Sequence, residues 1–313
     1  VVQGLELRVL LFEQWLTIDA DRHPAVEAKL ELVDVFALHF EPRSRGFTLS
    51  VTPLDIAPAF RGRMEGQAGA WIFTSATLAV SQAFEHFAVR LGLHDYEGLQ
   101  LDSPFDFVRN TLLYHPPALP DPASPHHTAA LVEATLPVLA ASRGRAFLLF
   151  TSYRALREAA ELLAGRIDYP LLVQGERPKA ALLHEFRALG NAVLLGTASF
   201  WEGVDVRGEA LSCVVIDRLP FAAPGDPVVQ ARIESIRQQG EDPFLSYQLP
   251  QAVITLKQGV GRLIRDVTDR GVLVLGDPRI VSKSYGRVFL DSLPPMPRTQ
   301  KLERVQAFFS ENR

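Results

Sequence analysis

Apolar and polar positions along this chain fall into blocks, and the blocks alternate in length. From about residue 104 onward, short apolar runs stand at 147–150, 171–173, 193–195, 213–216 and 272–275. Runs of that length with no polar alternation read as strands buried on both faces. Between them lie segments of helical period at 152–164, 179–189, 227–239 and 249–264. Strands and helices in turn predict an α/β unit whose parallel sheet is covered by helices on both faces. A first strand of that unit falls within 105–113, and the proline-rich stretch 115–125 reads as a loop.

The first hundred residues are less coherent. Segments 5–16 and 24–37 read as helices, although 33–40 fits a strand equally well. Residues 48–51 and 71–73 read as strands, and 83–93 as a helix. At the other end, Leu302, Val305 and Phe309 recur at helical spacing with Phe308 beside them. Docking of that helix on its own domain is the simplest use of its apolar face. A partner-binding tail is the alternative.

Composition narrows the class without naming a function. The 313 residues are 47% hydrophobic and 22% charged, the balance of an ordinary globular protein able to bury one large or two modest cores. A formal charge of −4 and a pI near 6.1 remove any bulk basic signature, so a nucleic-acid surface has to be local and salt-sensitive. No apolar run is long enough to cross a bilayer, and no signal-peptide pattern follows Val1. Cys213 is the only cysteine and sits inside an apolar run, which predicts packing, no disulfide framework and a reducing compartment.

The chemistry concentrates in four places. Gln258-Gly259-Val260-Gly261-Arg262-Leu263-Ile264-Arg265 places two arginines three apart, on one face of a continuing helix. The two glycines cost such a helix roughly 1 kcal/mol each, and they let a ligand or another backbone approach. Aligned guanidiniums beside them suit a phosphate, whereas a solvated helix face is the bland alternative. The stretch 196–206 reads Gly-Thr-Ala-Ser-Phe-Trp-Glu-Gly-Val-Asp-Val and follows an apolar strand, so its hydroxyls and carboxylates fall at a strand's carboxyl end. Open α/β sheets bind ligands at that end. Thr74-Ser75-Ala76-Thr77-Leu78 and Phe150-Thr151-Ser152-Tyr153 repeat the plan of an apolar run ending in hydroxyl residues.

In this order and wording, the four stretches resemble motifs III, IV, V and VI of superfamily 2 helicases. The phrase Ser199-Phe200-Trp201-Glu202-Gly203-Val204-Asp205 narrows the resemblance to the XPD/DinG-like branch, closest to its bacterial DinG/YoaA type. Leu219-Pro220-Phe221, Gly276-Asp277-Pro278-Arg279 and Tyr285-Gly286 fit that branch as well, and the resemblance runs from about residue 47 to 295. It implies a RecA-like second motor domain over 104–313. Residues 47–103 would be the carboxyl-terminal part of motor domain one, and 1–46 a mostly helical remnant of the arch insertion.

The resemblance also implies roles. Arg262 and Arg265 would contact the γ-phosphate of ATP, with Gln258 orienting them or the attacking water. Glu202, Gly203 and Asp205 would lie at the nucleotide, unless the two acids merely cap a helix start. Thr151, Ser152, Tyr153, Thr197 and Ser199 would hold DNA phosphates, since hydroxyls position a backbone without reading its sequence. Ser75 and Thr77 would couple the nucleotide to DNA, against plain turn chemistry as the alternative. Phe200 and Trp201 are either core residues or stacking platforms, and at least one must pack inward. His126 and His127 in the proline-rich loop read as exposed, and no metal site is expected.

Several helicase parts have no counterpart. There is no G-x-x-x-x-G-K-[ST] phosphate loop, no Asp-Glu-x-His pair for magnesium, and one cysteine does not ligate a four-thiolate iron–sulfur cluster. The expectation is a carboxyl-terminal fragment of a bacterial cytoplasmic helicase, inactive alone. Its parent would use ATP with Mg2+, and in some relatives an iron–sulfur cluster, to move 5′→3′ on single-stranded or forked DNA in repair or replication. Its partners would be that DNA, the missing amino-terminal motor domain, and a repair or replication protein at the tail. A stand-alone, non-catalytic nucleic-acid-binding or partner-docking RecA-like module is the rival from another class. An RNA helicase fits less well.

Overall fold

The computed structural model describes residues 36–43, 46–67, 69–80, 83–201, 208 and 210–311. The helix expected at 5–16, and all but the last residues of that expected at 24–37, lie outside them. The chain divides into two compact units, one of Val1–Ser75, Phe84–Gly98 and Ala222–Pro250, the other of Ala76–Ala83, Leu99–Phe221 and Gln251–Arg313.

In the smaller unit, β1 (Phe36–Arg43) and β2 (Gly46–Pro53) form an antiparallel hairpin with Phe36 opposite Pro53. The hairpin lies against the helix Pro227–Gln238, while α1 (Ala57–Glu65) packs on α2 (Glu85–Leu91). Gly92 ends α2 at φ +70°, and a side chain there would strike the Ala57 methyl at 2.9 Å. Only glycine combines that conformation with that approach.

Residues 71–73 are not a strand. Trp71 and Phe73 do turn to one side, stacking with ring centroids 6.4 Å apart and meeting Phe60 and Phe87, while Ile72 is 84% exposed. The alternation expected of a strand is present, but no ladder forms along it. A period of two reports which side each residue faces, and a strand needs a hydrogen-bonded neighbour as well.

The larger unit is built on a seven-stranded sheet in the order β5-β6-β4-β7-β8-β3-β9, with every pairing parallel. Its elements in chain order are β3 (Thr111–Tyr114), α3 (His127–Ser142), β4 (Ala146–Leu149), α4 (Tyr153–Leu163), β5 (Leu171–Val173), α5 (Lys179–Leu189), β6 (Val193–Gly196), β7 (Cys213–Ile216), α6 (Leu249–Val260), β8 (Gly271–Leu275), α7 (Gly286–Ser292), β9 (Arg298–Thr299) and α8 (Leu302–Ser310). One face of the sheet presents Leu148, Leu195, Val215 and Val274 to Leu131, Leu139, Leu156 and Leu163 of α3 and α4. Residues of opposite parity, Phe147, Leu194, Val214 and Leu273, are fully buried too, with Phe147 against Phe186 of α5. Burial on both faces is why these strands read as unbroken apolar runs.

Two boundaries differ from the sequence reading. The segment 105–113 is a helical turn, Phe107–Asn110, capped by the Asp106 carboxylate, and β3 begins only at Thr111. Asp106 accepts from the Arg109 amide at 3.0 Å, which holds the backbone in a turn despite its aromatic residues. The helix expected to reach residue 264 stops at Val260. The carboxyl-terminal helix α8 docks on α3 and β3 with Val305 wholly buried.

Candidate functional site

Each strand of the large sheet hands over to a polar residue at its carboxyl end: Gln174 after β5, Thr197 after β6, Asp217 after β7 and His115 after β3. After β4 and β8 one more residue intervenes before Thr151 and Asp277. The positions nearest the sheet's polar edge are thus fixed by strands buried on both faces.

Gln174 is the hub. Its Oε1 accepts from the Thr197 amide at 2.6 Å and from Thr197 Oγ1 at 3.1 Å, and its Nε2 donates to Tyr153 Oη at 2.7 Å and Ser199 Oγ at 3.1 Å. One amide therefore joins the segment after β4 to the segment after β6. Thr197 is 6% exposed and spends its hydroxyl proton inward, whereas Tyr153 and Ser199 are exposed and accept from Gln174, leaving their own protons to donate. Lys179 donates to the Ser199 carbonyl, and its ammonium stands 5.4 Å from the Phe200 ring centroid. Phe200 is fully buried, and a side chain at Gly196 would strike its ring at 2.7 Å, so Phe200 is a core residue and not a stacking platform.

Thr151 leans on Asp217, donating its amide to Oδ1 at 2.9 Å and its hydroxyl to Oδ2 at 3.3 Å. Burial pushes the Asp217 carboxyl up to about 7, against the pull of Arg218 and the Thr151 hydrogen bonds. Ser152 caps α4 by accepting from the Ala155 amide at 3.2 Å. Asp277, also buried, accepts from the Leu219 amide at 2.7 Å and grips Arg279 at 2.7 Å, which stacks on Phe221. The Asp277 carboxylate in turn raises Arg279 above the usual guanidinium range.

The arginine-bearing stretch departs from the expected helix. Gln258 is half-buried on α6, but Arg262 follows the helix end in a turn and Arg265 lies in a bend beyond it. Arg265 Nε donates back to the Gly261 carbonyl at 2.9 Å. Asp269 fixes this turn, its Oδ2 accepting from the Arg265 amide at 2.7 Å and the Asp266 amide at 2.8 Å. Its Oδ1 accepts from the Gly208 amide at 3.0 Å, so the same carboxylate ties the turn to the end of the stretch that follows β6. Two glycines in three residues release the helix, and the buried Asp269 carboxylate accepts from amides of the turn that follows it.

Other expected residues are dispersed or fall outside. Glu202, Gly203 and Asp205, and the side chain of Trp201, lie outside the described residues. Ser75 is exposed in the smaller unit, and Thr77 is half-buried in a turn of the larger one. His127 is not exposed as expected: it is fully buried, with Nε2 2.9 Å from the Gly276 carbonyl, and burial lowers its pKa. At the start of the loop 115–125, the buried His115 has its Nδ1 2.9 Å from the Leu275 carbonyl at the end of β8. Among the described residues no cluster of His, Cys, Asp or Glu is arranged to hold a metal ion. Cys213 is buried and its thiol is pushed up to about 12. Gln174, Asp217 and Asp269 were missed from sequence, and Asp277 was noted in a motif without a role. Three of these four stand one or two residues past an apolar run, a positional signal that finds them without any motif.

Residues 135–296, more than half of the chain, match the family model described as the helicase C-terminal domain. The chain belongs to that family. The chain is 49% identical over 275 residues to the ATP-dependent DNA helicase YoaA of Escherichia coli K12, covering 88% of this chain and 43% of that relative. It is 36% identical over 263 residues to the ATP-dependent helicase DinG of Mycobacterium tuberculosis H37Rv, covering 83% of this chain and 40% of the relative. The chain spans about two fifths of the length of these curated relatives. Among solved structures, an XPD helicase superposes with a TM-score of 0.62 at 19% identity, over 87% of this chain and 49% of that one. That likeness speaks to fold alone, and the parallel sheet with helices on both faces is the RecA-like fold of a helicase motor domain. No helix among the described residues is long and apolar enough to cross a membrane.

Proposed function

We propose that this chain is the carboxyl-terminal motor portion of an ATP-dependent DNA helicase that moves 5′→3′ on single-stranded DNA. The observation that carries the reading is the Gln174 amide, which locks Tyr153, Thr197 and Ser199 into one rigid polar edge. Tyr153 and Ser199 donate outward to backbone phosphates, and Thr197 positions them. Thr151 and Ser152 set the entry to α4 beside them. Residues 1–46 belong to the arch, 47–103 to motor domain one and 104–313 to motor domain two, with Ser75 and Thr77 coupling nucleotide to DNA.

The residues here that suit ATP are basic. A turn whose amides are fixed by Asp269 presents Arg262 and Arg265, and guanidiniums match phosphate oxygens. ATP, held with Mg2+, supplies the phosphoryl group whose transfer to water drives movement. Arg262 and Arg265 stabilise the charge that develops during transfer, Gln258 orients them, and Glu202, Gly203 and Asp205 border the nucleotide. The magnesium ligands and any iron–sulfur cluster are supplied by other parts of a bacterial cytoplasmic protein.

DNA-stimulated ATP hydrolysis by the full-length protein tests this. Arg262→Ala is expected to lower turnover about 10³-fold, the scale of a lost arginine finger, with nucleotide affinity retained. Weaker affinity at unchanged turnover would contradict it.

A further inference from the structure

At the amino-terminal ends of the same strands lies a cavity of about 390 Å³. Three of its lining residues immediately precede strands: Arg145 before β4, Ser212 before β7 and Arg270 before β8. Strands of four or five residues put this cavity roughly 13–17 Å from the polar edge described above, so the two are separate. Arg143, Phe308 and Phe309 complete the part of the wall that matters here.

Two features mark this cavity. Ser212 is only 6% exposed, yet its hydroxyl has no hydrogen-bond partner among the described residues, and the buried Arg270 Nε has none either. A buried polar atom left unpaired costs about 1–3 kcal/mol, so each one calls for a reason. The second feature is backbone strain. Arg143, Gly144 and Arg145 run at φ +56°, +70° and +47°, three left-handed residues in a row, two of them arginines. Only the glycine is forced, since a side chain there would collide with the Asn191 carbonyl. Arg143 is the left-handed cap that ends α3, its amide bonding to the Ala140 and Leu139 carbonyls, and the same turn brings both arginines to one cavity.

Among the described residues, most of the charged side chains at the wall are basic. Asp269 directs its oxygens at the three backbone amides of Gly208, Arg265 and Asp266. Glu311 stands 3.9 Å from Arg270, whose guanidinium carbon lies over Phe308, 4.1 Å from its ring centroid. Arg145 Nε is anchored to the Ser142 carbonyl at 2.8 Å, which fixes the direction of its fork. Among the described residues, the cavity is thus lined by three arginines and a serine with a buried hydroxyl, against Asp269, which is committed to the backbone, and Glu311 beside Arg270.

We propose that this cavity binds a phosphoryl group, held by Arg143, Arg145 and Arg270 with the Ser212 hydroxyl as a further donor. Planar guanidinium forks match phosphate oxygens two at a time, and a hydroxyl supplies the short neutral bond beside them. The volume exceeds that of a lone phosphate and falls in the range of small-molecule pockets. The group comes either as inorganic phosphate, on a mononucleotide, or on a DNA backbone. The assignment does not depend on the proposed motor function.

Thermal unfolding of the chain, titrated separately with inorganic phosphate, ADP and a thymidine oligonucleotide at matched chloride, tests it. Two substitutions keep the fold. Ser212→Ala deletes a hydroxyl that has no partner among the described residues, and Arg143→Asn places at φ +56° a residue that tolerates the left-handed region. The wild type is expected to gain a saturable rise in Tm from at least one of the three ligands. Each variant should then need at least ten-fold more of that ligand for half the effect, and the ligand showing this displacement identifies the source. A rise that both variants reproduce at wild-type concentrations, or no saturable rise with any of the three, overturns the assignment.

Discussion

A carboxyl group that is buried at the end of a strand and accepts hydrogen bonds from its neighbours is pulled in two directions, and at Asp217 burial wins. Its pKa is pushed up to about 7, with Arg218 and the Thr151 donors only partly opposing. An aspartate in the unfolded chain titrates near 4. Between those values the folded form keeps a proton that the unfolded form has lost. Stability from this group is therefore greatest below about pH 4, falls as pH rises towards 7, and is level above that. A gap of about three units corresponds to ~4 kcal/mol at most, at 1.36 kcal/mol per unit. Asp217→Asn keeps an acceptor for the Thr151 amide but does not titrate. The variant should therefore gain on the wild type by up to that amount between pH 4 and pH 7, read from urea unfolding at several pH values. A difference independent of pH would mean that Asp217 is ionised in the folded protein.

At the scale of elements, α4 shows how a candidate site residue also does structural work. Ser152 sits in extended backbone at the amino-terminal end of that helix and accepts from the Ala155 amide. Ser152→Ala should cost about 1 kcal/mol through the lost cap, seen as a lower urea midpoint with an unchanged slope. An unaltered midpoint would show that another group caps the helix. Most strands of the larger unit were legible because a strand buried on both faces is an apolar run, and α4 and α5 because each carries a helical period; α3, apolar nearly all round, has no such period and was not read from the sequence. The failures have physical causes. Residues 71–73 have strand alternation without a ladder, and alternation cannot report a missing neighbour. The segment 249–264 has helical period throughout, but Gly259 and Gly261 lower its propensity where Asp269 offers the amides a better partner. Pattern gave the hydroxyls at the strand ends. It did not give Gln174, whose importance lies in reaching two other segments and is visible only when β5 is seen beside β6.

Across the whole molecule, the formal charge of −4 offers DNA no general attraction, so any grip on a strand has to come from a few local groups. Those groups differ in kind. Tyr153 and Ser199 are neutral donors and displace no counterion, whereas Lys179, bonded to the Ser199 carbonyl, carries a full charge to the same place. Single-strand binding loses about 0.7 in the slope of log affinity against log salt for every phosphate neutralised. Ser199→Ala should therefore weaken binding to a thymidine oligonucleotide by a similar factor at every salt concentration, leaving the slope as it was. Lys179→Gln should weaken it most at low salt and make the slope shallower by about 0.7, the share of one phosphate. Fluorescence anisotropy over a salt series separates the two patterns. If both variants change the slope, or neither does, the strand does not cross the sheet edge at Ser199, and the hydroxyl network there serves only to hold β4, β5 and β6 in register.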